Sequence, residues 1–220
     1  MNLVLLGPPG AGKGSLAGLL KEFLGISHIS TGDILREEMA KNSPLGQEAK
    51  GYMDRGELVP DELVTKIVRQ KLTAKGGGQK GFMLDGFPRT LAQAEELDKI
   101  LSEAKKPLNY ILYMESSIPV IFKRLAGRRV CRKCGALFHV ANKPPKKQGV
   151  CDECGGELFQ RKDDQEATIQ HRVDVYKENI KPIVEYYKRQ GKLEILNGDR
   201  ETKKVKEDLL KKFNADGKRN

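Results

Sequence analysis

A lysine set among glycines, Gly7-Pro8-Pro9-Gly10-Ala11-Gly12-Lys13-Gly14-Ser15, follows directly on the apolar run Leu3-Val4-Leu5-Leu6. Glycines let a backbone turn sharply and aim several N–H groups at one point, and a helix starting there adds the positive end of its dipole. Lys13 brings a mobile cation that can follow negative charge as it moves between phosphates. Strand, tight loop and helix start is the context in which this pattern holds a nucleotide's phosphates; a flexible glycine linker is the competing reading, disfavoured by those flanks. A second chemical feature is Asp85, which closes the apolar stretch 81–84 and precedes Gly86-Phe87-Pro88-Arg89. A carboxylate at the carboxyl end of a neighbouring strand is placed to hold Mg²⁺, directly or through water, the alternative being a turn cap. Arg89 projects from a proline-stiffened base, which suits bidentate phosphate binding.

All four cysteines fall in one stretch as two C-x-x-C pairs, Cys131/Cys134 and Cys151/Cys154. That spacing is a zinc-ribbon signature: four thiolates fill a tetrahedral shell and leave no open position, so the Zn²⁺ it would hold is structural. Disulfides are the alternative, disfavoured in a reducing compartment. Arg124, Arg128, Arg129, Arg161 and Arg172 flank this stretch at its two ends, where closure would carry them over the glycine loop. Aromatic residues within it are few, Phe138 and Phe159, unlike a nucleic-acid-stacking ribbon. The three histidines (His28, His139, His171) are scattered, and no serine-histidine-acid arrangement appears. Cations in such number suit transfer of a phosphoryl group between two anions, which depends on in-line positioning, charge shielding and exclusion of water.

The elements that must position these groups follow a βα rhythm. Apolar runs of strand length stand at 3–6, 81–84, 110–114 and 193–196, with a shorter one near His28-Ile29, and helical stretches lie between them. This alternation predicts an α/β fold with a parallel five-stranded sheet and helices on both faces. The first helix carries an expected apolar stripe of Leu16, Leu19, Leu20, Phe23 and Leu24 and stops at Gly25. Thr31-Gly32-Asp33 is expected to cap a second helix, and Pro60 to stand in the first turn of another. Further helices are expected at 118–125, 168–189 and 201–213. Two stretches interrupt the rhythm: 30–59, helical and polar with breaks at Ser43-Pro44 and Arg55-Gly56, and 127–164, rich in turns. The expected organisation is therefore a core of 1–29, 60–126 and 165–220 with two insertions.

The 220 residues are 38% hydrophobic and 32% charged, and hold no apolar segment long enough for a bilayer. The first strand begins near residue 3, which leaves no room for a signal peptide and makes the cytoplasm the expected location. A formal charge of +10 raises a nucleic-acid reading. Its excess is local: 203–220 holds seven Lys/Arg against three Asp/Glu, and 127–164 nine against five. The former reads as the solvated face of a terminal helix with a frayed end at 215–220.

With the glycine loop, Asp85-Gly86-Phe87-Pro88-Arg89 and the cysteine-bearing insertion together, the chain closely resembles adenylate kinase of the long, zinc-lid bacterial type, from residue 1 to about 206. The resemblance implies reversible phosphoryl transfer from Mg-ATP to AMP giving two ADP, by a monomer without nucleic-acid or membrane partners. It implies an AMP-binding region at 30–59 and a lid at 127–164. In the AMP segment Ser30-Thr31-Gly32-Asp33-Ile34-Leu35-Arg36, Thr31 would lie near adenine and Arg36 on the phosphate. Glu57, Leu58, Val59, Gly86, Phe87, Pro88, Arg89 and Gln93 would extend that pocket, with the Gln93 amide suited to read adenine. On the donor side, Gly10, Ala11, Gly12, Lys13, Gly14 and Ser15 would hold phosphates, Arg124 would stack on adenine and Arg128 contact phosphate, and Leu137, Phe138 and the backbone near Arg200 would add ATP contacts. Arg161 and Arg172 would close over the reacting phosphates, with Asp163 and Asp164 anchoring the closed lid. Cys131, Cys134, Cys151 and Cys154 match the family's metal positions. The loop hydroxyl is displaced to Ser15, as in this family, where threonine is more usual, and Leu16 stands where glutamine is common. Another nucleoside monophosphate kinase shares the loop logic, although Thr31 and Gln93 favour adenine; a nucleic-acid-binding protein with a P-loop and a zinc ribbon is the reading from a different class.

Overall fold

The computed structural model describes residues 1–74 and 80–216. Five parallel strands, β1 (Asn2–Leu6), β2 (Ser27–Ser30), β3 (Phe82–Asp85), β4 (Tyr110–Glu115) and β8 (Leu193–Asn197), form one sheet in the order β2-β3-β1-β4-β8. Between them run α1 (Lys13–Leu24), α2 (Thr31–Ala40), α3 (Pro44–Arg55), α4 (Asp61–Thr73), α5 (Leu91–Glu103), α6 (Ile118–Ala126) and α7 (Glu166–Arg189), and α8 (Thr202–Ala215) follows β8. A separate antiparallel sheet, β6-β5-β7, is made by β5 (Arg128–Cys131), β6 (Leu137–His139) and β7 (Leu158–Phe159). No helix among the described residues is long and apolar enough to cross a membrane.

Alternation along the strands builds two cores. Val4, Leu6, Phe82, Leu84 and Ile111 face α4, α5 and the far end of α7, packing with Val64, Val68, Leu97, Ile183 and Tyr187. Leu3, Leu5, Met83, Leu112 and Met114 point the other way, onto Leu16, Ala17 and Leu20 of α1 and Val205, Leu209 and Phe213 of α8. A helix–sheet–helix sandwich results, as the rhythm predicts. After β1 the chain crosses to edge strand β2, and after β3 it crosses to β4 on the opposite side of β1. The carboxyl ends of β1, β3 and β4 therefore part around a crevice, the place where such sheets bind ligands.

Several local expectations shift. Phe23 is 46% exposed rather than part of the buried stripe, with the Lys206 ammonium 5.6 Å from its ring, while Ala17 takes its place in the core. The cap of α2 is Ser30, whose side chain accepts from the Asp33 N–H, and Pro60 is the cap of α4 rather than a residue within its first turn. The helix expected at 168–189 begins at Glu166, and α8 reaches Ala215; of the frayed end expected at 215–220, residues 217–220 lie outside the described residues. The breaks at Ser43-Pro44 and Arg55-Gly56 separate α2 from α3 and end α3, where Ser43 caps Gly46 and Gly56 takes φ 79°. No strand is expected within 127–164, yet β5, β6 and β7 lie there, because strands of two to four residues carry too little alternation to register as a pattern.

Candidate active site

Two glycines explain the shape of the loop after β1. A Cβ on Gly7 would stand 2.4 Å from the Met114 carbonyl oxygen, so the loop lies flush on β4 only without a side chain. Gly12 caps α1 at φ 97°, a left-handed conformation that glycine adopts without strain. Lys13 then opens α1 and folds back, its Nζ donating to the carbonyls of Gly7 and Pro8 at 2.8 Å each. Burial lowers its pKa to about 8; Asp85 opposes that, while Arg89, Arg172 and Arg128 add to it. A buried ammonium among guanidiniums is a site short of negative charge.

The guanidiniums that surround it arrive from distant elements. Arg89, on the turn after β3, donates its Nε to the Gly86 carbonyl at 2.8 Å. Burial and Arg172 lower its pKa to about 10, though a delocalised guanidinium keeps its proton. Arg128, at the start of β5, forms a fork with Asp164 (2.8 and 2.6 Å), and Arg172 on α7 shares the same carboxylate at 3.0 Å while meeting Asp163 at 3.1 Å. Asp164 is 1% exposed, so its charge is balanced entirely by these two arginines. Although burial works against it, the Arg36 guanidinium 2.6 Å away, helped by Arg161, holds the Asp33 carboxyl down at about 2. Arg161 itself reaches Asp33 at 3.3 Å, and its Nε is buried with no hydrogen-bond partner among the described residues. An orphaned guanidinium N–H costs free energy until an anion accepts from it. Asp85 stands beside this cluster, 3.6 Å from His28 Nε2.

The remaining expected residues take definite places. Thr31 Oγ1 donates to the Gly86 carbonyl at 3.0 Å, and Thr31, Glu57, Leu58, Val59, Gly86, Arg89 and Gln93 line one cleft. Gln93 is 2% exposed and its amide already has protein partners, Asp61 and the Arg89 N–H. Phe87 is fully buried, which leaves backbone as what that residue can offer. Arg124 donates Nη1 to the carbonyls of Gly198 (2.6 Å) and Ala11 (3.2 Å), pinning the glycine loop between α6 and the turn after β8. Leu137 Cδ1 lies 3.5 Å from where a Cβ on Gly14 would be, so β6 covers the loop. The Phe138 ring is turned into the small core of its own sheet and is 4% exposed. Arg200 is paired at the surface with Asp208, 2.8 Å away, and Arg129 turns back to the Ala126 and Arg128 carbonyls rather than into the crevice.

The four cysteines converge: their sulfurs lie within 4.8 Å of one another, with Cys131–Cys154 at 3.4 Å and Cys134–Cys151 at 3.6 Å. Sulfurs of a tetrahedral zinc–thiolate shell stand about 3.8 Å apart, so the donor set fits a metal ion and is far too open for disulfides. Each pair sits on a matching knuckle, in which the N–H of Gly135 or Gly155, both at positive φ, donates to the carbonyl of the first cysteine. The glycine directly after each C-x-x-C was a sequence signal of that knuckle. Backbone N–H groups of Cys134 and Lys133 pull the Cys131 thiol down against burial, while the crowded sulfurs of Cys154, Cys131 and Cys151 push that of Cys134 up, the repulsion that a cation among four thiolates relieves. Sequence reasoning missed Asp33 as the bridge between Arg36 and Arg161, and Asp61 as a partner of Gln93. These contacts join residues 128 and 32 positions apart and leave no local signature.

A family model described as adenylate kinase matches residues 5–192. The chain is 49% identical to an adenylate kinase of Geobacillus sp. (strain WCH70), over 95% of this chain and 96% of that one. It is 50% identical to those of Caldicellulosiruptor bescii (96% and 98% covered) and Archaeoglobus fulgidus (93% and 94%).

Proposed function

Because the chain belongs to the adenylate kinase family, a nucleoside monophosphate kinase family that transfers a phosphoryl group between ATP and AMP, we propose the following division of that work among its own residues. The backbone of Gly10, Ala11, Gly12, Lys13, Gly14 and Ser15 cradles the donor phosphates, with the α1 dipole behind them. Lys13 exchanges the Gly7 and Pro8 carbonyls for phosphate oxygens, whose negative charge raises its pKa again. Arg36 and Arg89 take the AMP phosphate; Arg128, Arg161 and Arg172 gather round the group in flight, where charge spreads over its equatorial oxygens. Mg²⁺ bound with ATP would neutralise phosphate charge, and Asp85 would hold it through water. The single observation that carries this assignment is the buried Nε of Arg161, without a partner among the described residues and close to the cations Arg36 and Arg128.

Residues 127–164 act as the lid, with Leu137 and the Phe138 backbone over ATP, Arg124 on its adenine face and the backbone near Arg200 beside it. Residues 30–59 form the AMP region, and 1–29, 60–126 and 165–220 the core. Zn²⁺ is the metal that the four thiolates suit, in a structural role. In this reading the protein works as a monomer and needs no nucleic-acid or membrane partner. Four free thiols drawn together without disulfides fit a cytoplasmic location. A coupled assay offering ATP with AMP, GMP, CMP or UMP should form ADP fastest with AMP. Lys13→Ala should cut kcat/KM at least about a thousandfold while leaving the circular dichroism spectrum unchanged; turnover near that of the parent would remove Lys13 from the mechanism.

A further inference from the structure

A glutamine amide does not by itself distinguish adenine from guanine-type bases. Adenine presents an amino donor at C6 and an acceptor at N1; a 6-oxo purine presents the reverse, an acceptor at C6 and an N1–H donor. An amide turned through 180° answers either pattern equally well, because its oxygen and nitrogen simply trade places.

In this chain the turn is blocked at both ends. Gln93 Oε1 accepts from the Arg89 backbone N–H at 2.7 Å, and Nε2 donates to Asp61 Oδ1 at 2.7 Å. A backbone N–H can only donate and a carboxylate can only accept, so the flipped amide would set N–H against N–H at one end and oxygen against oxygen at the other. Asp61 is itself held, its second oxygen accepting from Thr90 Oγ1 at 2.7 Å, while Thr90 Oγ1 accepts from the Gln93 N–H at 3.2 Å. Gln93 is 2% exposed, so water does not relieve a mismatch. With two of its four hydrogen-bonding positions taken, the amide keeps one lone pair on Oε1 and one N–H on Nε2, which is the complement of the adenine edge.

We propose that Asp61 is a specificity-determining positioning residue: together with the Arg89 N–H it fixes which end of the Gln93 amide is which, and so makes the acceptor site select adenine over 6-oxo purine monophosphates. This rests on the reading that Gln93 faces the AMP base. Inosine monophosphate is the clean probe, since it differs from AMP only at that edge. The ratio of kcat/KM for AMP to that for inosine monophosphate is to be measured for the whole enzyme and its Asp61→Ala, Asp61→Asn and Gln93→Leu variants. Asp61→Ala, which removes one of the two blocks and leaves the Arg89 N–H as the other, should lower the ratio about tenfold, through KM and with kcat for AMP little changed. Asp61→Asn can still offer Gln93 an acceptor and should retain most of the ratio; Gln93→Leu should give its lowest value. Should Asp61→Ala not fold, Asp61→Ser, whose hydroxyl donates or accepts, carries the same expectation. A ratio unchanged in Asp61→Ala but collapsed in Gln93→Leu would overturn the role of Asp61. A ratio unchanged in Gln93→Leu would overturn the placement of the base on which it rests.

Discussion

Residues 30–59 and 127–164 both interrupt the same βα rhythm, and they are held in opposite ways. In the first, Leu35, Ala49 and Val59 belong to the apolar cluster that runs under the main sheet, with Ile34, Leu45, Tyr52 and Met53 packed against it. In the second, the buried cluster is Cys131, Phe138, Cys151 and Leu158, half of it cysteine and separate from the rest. A core that small does not repay the entropy of ordering the chain around it. One insertion thus draws its stability from the fold, whereas the other has four clustered sulfurs suited to a metal ion and the ion pairs of Asp163 and Asp164 with Arg128 and Arg172. The lesson is that two insertions in one fold can be held by different means, one by apolar packing shared with the main core and the other by a small core of its own with ion pairs at its ends.

Removing the proposed metal tests this contrast hardest. Structural zinc sites contribute on the order of 10 kcal/mol to local folding, so chelation or Cys151→Ser should abolish hydrogen-exchange protection at Val130, Phe138 and Leu158 while β1 and β3 keep theirs. Simultaneous loss in both sheets would break the comparison. Asp164→Ala comes next: it leaves two largely buried guanidiniums without their shared carboxylate, which should cost about 3–5 kcal/mol and be read as a lowered melting temperature together with a higher KM for ATP. Leu35→Ala should cost about 2–4 kcal/mol and, unlike metal removal, lower global stability in a single transition, as measured by urea titration.

The smallest effect joins the two segments directly. Asp33 connects Arg36 to Arg161 but is half exposed, so Asp33→Asn should cost less than about 1 kcal/mol. Because its folded pKa, about 2, is depressed below the ordinary 3.8, the contribution is present above about pH 4 and is lost as pH falls towards 2. The difference in melting temperature between parent and Asp33→Asn should therefore be constant from pH 5 upward and shrink below pH 4. A difference that grows on acidification would contradict the assignment.

What could be read from sequence was whatever is local and repetitive. The glycine loop after a strand, the five strand positions and the paired cysteines each occupy a short window, and each has one physical interpretation that dominates its rivals. Phe23 shows the limit of periodicity: it falls at the right spacing but is 46% exposed under the Lys206 ammonium, while its neighbour Leu24 packs against the core. β5, β6 and β7 were illegible because thiolates and turns, not alternating apolar side chains, specify them. The site was legible as a set of residues but not as a set of pairings. Arg128 and Arg172 could be named, but that both lean on Asp164 depends on how β5, the turn Lys162–Asp164 and α7 meet.

The fork between Arg128 and Asp164 has one more consequence. Arg128 is the first residue of β5 and Asp164 lies in the turn that leads into α7, so this ion pair ties together the entrance and exit of the cysteine-bearing segment. A stretch whose two ends meet at one point, and whose apolar cluster stays within itself, is a cassette. Exchanging it with that of another family member therefore means matching this fork together with the contacts that leave the segment, Arg172 with Asp163 and Asp164 and Arg161 with Asp33, while the apolar residues of the main sheet are left as they are.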